Sequence, residues 1–503
     1  MIVHIILMKW NCTKVMKRMS KNSSLYKNLK TLLDEGLIAL VKDRSDTLYA
    51  KIFIADRHAG MEAVGSSRFI HLFKELYMER YKDFLDNQSM QIILEMLAME
   101  GRRVTKKVNL SKRIHRTKNV YLYELEAETN KVVWIENGEV SIEYLDEIYF
   151  KHSPTEDSQV EPDLSSGARN LMSLLYRHFK FKSDDDMKLF ALYLVSCFLG
   201  LEKIRVPVLV LFGAKGASKS TAMRMLSKLV SPQKGDLGGQ FNNLDDLQLS
   251  IADSYMVTLD NMRTISKKCS DLLCRVCSGG SYRKRKLYTD GDMLNYDLNC
   301  MIVISSIAMP IKEPDLVDRS IVLELERIDA KKRKSESEIW SRFDKDIPKI
   351  LGSIFDVIAQ VLQDDEPIEN TEYIRLVDFH QACIRIGRVI GIKERKVNEL
   401  LRHHRNNVNE TLICDDIAVG CFVEYMRRTK NFVGSVTELL NKLYEIANSK
   451  EISYNDMPKS ANHLTRRLNR VKSNLEESYD IYYEISNTGA YRQIYAEIKK
   501  NYN

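Results

Sequence analysis

The apolar run Val206-Pro207-Val208-Leu209-Val210-Leu211-Phe212 leads straight into Gly213-Ala214-Lys215-Gly216-Ala217-Ser218-Lys219-Ser220-Thr221, and then into a helical Met223–Leu226 stretch. Buried strand, glycine-bearing loop and helix, in that order, make a phosphate-binding loop. Backbone N–H groups at the helix N-terminus cradle the phosphates, Lys219 reaches the β/γ oxygens, and the Ser220 hydroxyl ligates Mg²⁺. Gly213 to Thr221 are therefore expected to hold ATP. One position departs from the general pattern GxxxxGK[ST]: Ser218 stands where the last glycine belongs, and Gly216 supplies freedom inside the loop instead. The competing reading is a Gly- and Ser-rich turn that happens to precede a helix.

A phosphate loop needs a second strand that ends in an acid. Tyr255-Met256-Val257-Thr258-Leu259-Asp260 supplies one, with Asp260 41 positions after Lys219. Asp260 is expected to hold Mg²⁺ through its water shell. The next residue is Asn261, where motors of this class commonly carry a glutamate that activates the attacking water. Asn261 is thus a catalytic position without an evident base, and hydrolysis by this chain is expected to be slow or only a switch. A third apolar strand, Met301–Ile304, ends in Ser305-Ser306, where related ATPases place a polar contact to the γ-phosphate. Asp315-Leu316-Val317-Asp318-Arg319 then precedes a last strand, Ile321–Leu325. Arg319 fits an arginine finger that reaches a neighbouring subunit's nucleotide. It equally fits a salt bridge to Asp315 or Asp318.

At 503 residues, with 44% hydrophobic and 29% charged residues and only 21 Gly and 9 Pro, the composition is that of helix-rich globular domains. A prior of roughly 150 residues per domain suggests about three. The formal charge of +7 is modest, but the excess is clustered. Residues 102–118 carry eight Lys or Arg and no acid, and shorter runs follow at Arg283-Lys284-Arg285-Lys286, Lys331–Lys334 and Lys459–Lys472. Such runs suit a polyanion, or a solvated face. Nine scattered cysteines argue against a disulfide framework and for a reducing, cytoplasmic compartment. Cys274 and Cys277 form a CxxC without a second pair, which favours buried thiols over a zinc site. The apolar opening Ile2–Met8 is far short of the ~20 residues a membrane span requires, so no membrane partner is expected.

Five units follow from the patterning. Residues 1–65 read as a tail with a small winged-helix fragment: a helix ending at Gly36, then strands 37–42 and 47–54. Residues 66–152 read as an α+β platform that carries the basic run, with strands at 120–123 and 132–135 turning at Thr129-Asn130. Pro- and Ser-rich 153–167 form a boundary, 165–330 the ATPase core, 331–430 a helical region and 431–503 a small terminal unit. In that last unit a helix is expected over Lys459–Leu475, with Ala461, Leu464, Leu468 and Val471 on its buried stripe and Arg466, Arg467 and Arg470 available to nucleic acid. Two strands meeting at Asn487-Thr488-Gly489 would form a wing, and a winged helix presents such a basic helix to the groove or the phosphates. A protein-docking module is the alternative.

The succession GAKGASKST, LDN, SDLLCRVCSGG, RKRKLYTD and DLVDRS resembles a family of phage- and plasmid-type, primase-helicase-associated ATPases of replication modules, related to superfamily-three helicases and AAA+ proteins. Similarity runs from about residue 70 to the C-terminus. In that family the loop also reads GxxGxxKS and the metal acid is also followed by Asn. Where Ser305 stands the family commonly shows Asn, so at the γ-phosphate contact this chain departs from the family pattern. The resemblance implies an α/β P-loop core of AAA+ or superfamily-three type and ATP and Mg²⁺ as ligands. It also implies single-stranded or forked DNA as partner, bound at Arg283–Lys286 and the C-terminal arginines, and a homo-oligomeric ring. A DNA helicase or translocase is the leading expectation. A nucleotide-switched initiator or loader that unwinds nothing is the alternative, and Asn261 favours it. A small-molecule kinase would leave Arg319 and the basic runs without a role.

Overall fold

The computed structural model describes residues 22–499 apart from 44–45, 55–56, 146, 148, 152, 154, 236–240, 242, 286–292, 330, 332, 370–371, 450–456 and 489–490. The apolar opening of the chain and the tip of the expected wing, Gly489, lie outside the described residues.

Residues 22–34 are helical, and strands Ile38–Lys42, Leu48–Ile54 and Arg57–Ala63 form an antiparallel sheet behind them. Helices Ser67–Tyr81 and Asn87–Arg103 follow, each started by a side chain that satisfies an orphan amide: Ser66 Oγ accepts from Phe69 N at 3.1 Å, and the Asp86 carboxylate accepts from Ser89 N at 2.7 Å. The boundary expected at residue 65 falls inside this unit. Leu25, Leu29 and Ile52 share one core with Phe69, Phe73, Ile93 and Leu97, so the two helices close the N-terminal sheet instead of opening the platform. The strand Arg57–Ala63 carries no sequence signal because RHAGMEA has neither β-branched residues nor clean alternation.

The platform is an antiparallel sheet of Ile114–Arg116, Val120–Glu126, Lys131–Glu136 and Glu139–Tyr144, paired in chain order. Asn130, at the expected turn, takes a left-handed φ of 52°. The basic run that enters it is divided in use. Arg102 and Arg103 end a helix, whereas Lys112, Arg113 and Arg116 turn inward onto main-chain carbonyls. Lys112 Nζ donates to Ile251 O (2.7 Å), Ser254 O (2.8 Å) and Asn299 O (2.6 Å). Three acceptors match the three donors of an ammonium, although burial pushes its pKa down to about 8. Arg113, only 2% exposed, reaches Glu124 O (3.2 Å) and Asp157 O (2.8 Å). Part of a run that reads in sequence as a polyanion surface thus fastens the platform to its neighbours.

Behind that anchor lies a four-stranded sheet in the order Ser320–Glu324, Val208–Phe212, Met301–Ser306, Met256–Leu259, every neighbouring pair parallel. Its strands are apolar at almost every position, as a sheet covered on both faces requires. Alternation decides which face each residue serves. Leu209, Leu211, Val303 and Leu323 join a layer of helices that includes Leu171–His178, Asp184–Ser196, Glu336–Gln363 and Val377–Ile390. Val208, Val210, Ile302 and Val322 face Lys267–Cys277 and the C-terminal helices. Helices from either side of the sheet segment in sequence therefore share one layer.

The C-terminal unit is a three-stranded antiparallel sheet, Asn431–Ser435, Tyr491–Ile498 and Ile481–Thr488, packed on Val436–Ser449 and two shorter helices. The single helix expected over Lys459–Leu475 is in fact Ala461–Arg470 and Lys472–Tyr479. The break is at Val471, whose φ of −112° and ψ of 20° leave the helical region while its side chain stays buried. Of the expected stripe, Leu464, Leu468 and Val471 are buried and Ala461 is half-buried. No helix among the described residues is long and apolar enough to cross a membrane.

Replacing Lys112 by Met keeps the apolar stem but leaves three buried carbonyls unsatisfied. At ~1 kcal/mol or more for each, the cost is about 3 kcal/mol, or roughly 6–12 °C in the melting temperature of a domain of this size. Thermal unfolding followed by circular dichroism checks this; a shift under ~2 °C would show that water replaces the ammonium without loss.

Candidate nucleotide-binding site

All four parallel strands end on the same edge, and the loop leaves that edge from the Val208–Phe212 strand. Gly213 must be glycine because a Cβ there would stand 2.9 Å from Leu325 O and 3.2 Å from the Ala217 Cβ. Gly216 has φ +84°. Ser218, the residue that departs from the general motif, sits in the left-handed region at φ 53° and starts the helix Lys219–Val230. Serine therefore adopts the backbone that glycine would take, at a strain of ~1 kcal/mol or more. Lys219 Nζ folds back onto the loop, donating to Gly213 O (2.7 Å) and Ala214 O (3.1 Å). Burial lowers its pKa, opposed by the charge of Asp260.

Asp260 emerges from the Met256–Leu259 strand, which is separated from the loop strand by Met301–Ser306. The fold nevertheless brings it to the loop: Ser220 Oγ donates to Asp260 at 3.0 Å (Oδ2) and 3.2 Å (Oδ1). A hydroxyl and a carboxylate at this separation are hard oxygen donors, and with water they suit Mg²⁺.

The intervening strand holds the acid. Ser305 Oγ donates to Asp260 Oδ1 and accepts from the Asn261 backbone N–H (2.9 Å). Met262 N donates to Ser305 O (2.8 Å), and Ser306 Oγ to Met262 O (2.5 Å). Both serines are 1% exposed. Ser305, read from sequence as a γ-phosphate contact, thus has its hydroxyl engaged with Asp260. Asn261 is exposed and left-handed at φ 57°, a backbone that Asn tolerates.

Arg319 sits elsewhere. It begins the strand Ser320–Glu324, whose far end, Glu324, pairs with Phe212 beside the loop. At ~3.3 Å per residue, the strand sets Arg319 about 16 Å from its own loop. Its guanidinium, 12% exposed, meets Asp315 Oδ1 at 2.5 Å and Asp315 O at 2.7 Å, and Arg375 shares the same carboxylate oxygen at 2.8 Å. Cys274, beside this pair, has its thiol pushed up to about 12, by burial first and then by Asp315. Cys274 and Cys277 are both buried, and no metal-ligating cluster occurs among the described residues.

Of the residues expected to bind nucleic acid, Arg283, Lys284 and Arg285 lie on Ser281–Arg285, one strand of a two-stranded hairpin with Met293–Asp297; Lys286 lies outside the described residues. Arg467 and Arg470 pair with Asp416 at 3.2 and 3.3 Å, and only Arg466 of the three is exposed without a carboxylate partner among the described residues. Sequence reasoning missed Asp416 because it lies 51 residues before Arg467, at the N-cap of Ile417–Thr429.

For a loop that holds MgATP, Lys219→Ala is expected to weaken binding by ~10²-fold or more, because it removes a cation of the loop. Asp260→Asn is expected to retain most nucleotide affinity and lose Mg²⁺-dependent turnover by ~10²-fold or more. Calorimetric titration and phosphate release measure the two; full turnover in Asp260→Asn would move the metal to another acid.

Residues 172–400 match the family model "Actinomycete integrative conjugative element replication protein", and residues 419–502 match the "AICE RepA C-terminal domain". None of the curated proteins compared matches the chain. Among solved structures, the apo C-terminal region of NrS-1 aligns over 93% of this chain and 98% of its own, at 12% identity and a TM-score of 0.41. The structure titled "SCCmec type IV Cch - active helicase" aligns over 92% and 93%, at 11% identity and a TM-score of 0.48. The two family models together take in more than half of the chain, loop and acid included, and the chain belongs to the RepA-type replication proteins of integrative conjugative elements.

Proposed function

We propose that the protein is a DNA-directed, ATP-hydrolysing motor of helicase or translocase type, acting as a homo-oligomeric ring in the replication of a mobile element. The observation that carries this reading is the meeting of Ser220 with Asp260 at the loop, with Arg319 on the opposite edge of the same sheet. The fold we assign is of AAA+ or superfamily-three type, and the three-stranded C-terminal unit with its helices Val436–Ser449 and Ala461–Arg470 is read as a winged helix.

ATP enters with its phosphates against the loop from Gly213 to Thr221. Lys219 exchanges its two carbonyl partners for phosphate oxygens, a move of one side chain. Ser220 and Asp260 would hold Mg²⁺, which neutralises charge on the β/γ oxygens when bound. Ser305 keeps the Asp260 carboxylate turned to the loop. No glutamate follows Asp260, so the chain offers Asn261 to orient a water but not to deprotonate it. That feature favours a second reading, a nucleotide-switched initiator or loader, in which slow hydrolysis resets the protein and unwinds nothing.

Because Arg319 cannot reach its own loop, it acts in trans or is structural. A finger in trans can be worth ~10³-fold in rate, whereas a surface ion pair contributes about 1 kcal/mol or less to stability. Mixing Arg319→Ala with Lys219→Ala protein is expected to restore turnover, since some interfaces then join an intact loop to an intact arginine. Co-assembly without rescue at any ratio would rule out the trans role. The hairpin that carries Arg283, Lys284 and Arg285 is the proposed contact with single-stranded DNA, together with Lys286, the next residue in sequence. Alanine at all four positions is expected to flatten the salt dependence of binding by ~0.7 in log–log slope for each phosphate that the protein no longer neutralises. An unchanged slope returns the run to a solvated face.

A further inference from the structure

The basic run Lys331–Lys334 reads in sequence like the other polyanion-binding stretches, but its surroundings in the fold are those of the phosphate loop. After the last core strand the chain stays on the loop: Leu325 N donates to Phe212 O (2.9 Å), and Ile328 N approaches Gly216 O (3.4 Å). Arg333 then returns over the loop's midpoint. A Cβ built on Gly216 would stand 2.8 Å from Arg333 Nη2 and 3.7 Å from its Cζ, so the guanidinium lies directly against the glycine that gives the loop its left-handed turn. The two residues fit each other: any side chain at position 216 would displace the arginine.

No carboxylate pairs with Arg333 among the described residues, unlike its neighbour Lys334, which is held by Glu338. Lys215 and Lys219 already make this loop cationic, and an unpaired guanidinium held beside them is opposed by like charge. Such a placement is stabilised once an anion fills the loop. Beside it, Ser218 and Thr221 of the loop line a cavity of about 710 Å³ with Ile328, Ile339 and Arg342 on its far wall, room for the nucleoside that a loop-bound polyphosphate carries.

We propose that Arg333 is a nucleotide-contacting residue acting in cis, closing over the loop at Gly216 to pair with the polyphosphate. This inference rests on the loop's assignment as an ATP site and is independent of Arg319, which lies on the opposite edge of the sheet. It also removes Arg333 from the DNA-binding surface.

The test is calorimetric titration of the full chain with MgATPγS at two salt concentrations, for wild type, Arg333→Ala, Arg333→Lys and Lys219→Ala, with melting temperatures recorded alongside. A charge-assisted contact of this kind corresponds to about a tenfold to hundredfold loss of affinity in Arg333→Ala, with partial recovery in Arg333→Lys. A shallower salt dependence than wild type, at an unchanged melting temperature, marks the loss as that of a charge. Wild-type affinity in Arg333→Ala together with lost binding in Lys219→Ala overturns the inference and leaves the loop assignment standing. Wild-type affinity in both variants overturns the two together. Loss of single-stranded DNA binding in Arg333→Ala without nucleotide, at intact nucleotide affinity, returns the residue to the DNA surface.

Discussion

Ser220 lies in the helix that follows one strand, and Asp260, 40 residues on, follows another strand that does not touch the first, yet their oxygens meet at 3.0 Å. The surrounding hydrogen bonds serve that meeting. The strand between them contributes Ser305, whose hydroxyl donates a hydrogen bond to Asp260 and accepts one from the Asn261 amide. A partly buried carboxylate with one such bond fewer would be freer to turn toward solvent. The arrangement also explains why two consecutive serines end a strand that is otherwise Met-Ile-Val-Ile: each joins the Met301–Ser306 strand to the segment after Leu259, one at Asn261 and one at Met262.

That edge of the sheet is in turn fixed by what lies at the other. Lys112 collects carbonyls from the end of Leu244–Asp253 and from Asn299, just before the Met301–Ser306 strand, and so sets where the acid and serine strands begin. The anchor comes from the platform, a separate sheet. The Arg319–Asp315–Arg375 cluster occupies the same opposite edge at the Ser320–Glu324 strand. The candidate loop and acid on one edge and the Arg319–Asp315–Arg375 cluster on the other are what the proposed ring would need, since the second edge of one copy could then face the first edge of the next.

Much of the geometry of the candidate site was legible in the sequence because its signals are local and ordered. A buried strand, a loop with glycine at 213 and 216 and an acid at a strand end each declare themselves within a dozen residues. The anchoring interactions were not legible, since they join distant residues whose local character suggests something else. Lys112, Arg113 and Arg116 belong to an acid-free basic run, and only the fold reveals the carbonyls they meet. Arg467 and Arg470 look like a groove-facing pair until Asp416 arrives from another helix. The N-terminal packing was hidden for a related reason: the strand Arg57–Ala63 has little intrinsic β-propensity and pairs along the edge that Leu48–Ile54 offers.

The measurement that bears most directly on the account is the rate of ATP hydrolysis by the purified full chain with Mg²⁺, in the absence and presence of single-stranded DNA. A DNA-directed motor built on Lys219, Ser220 and Asp260 predicts turnover that requires Mg²⁺ and rises several-fold when DNA is added. Nucleotide bound tightly but never hydrolysed, with or without DNA, would contradict a motor and leave a switch.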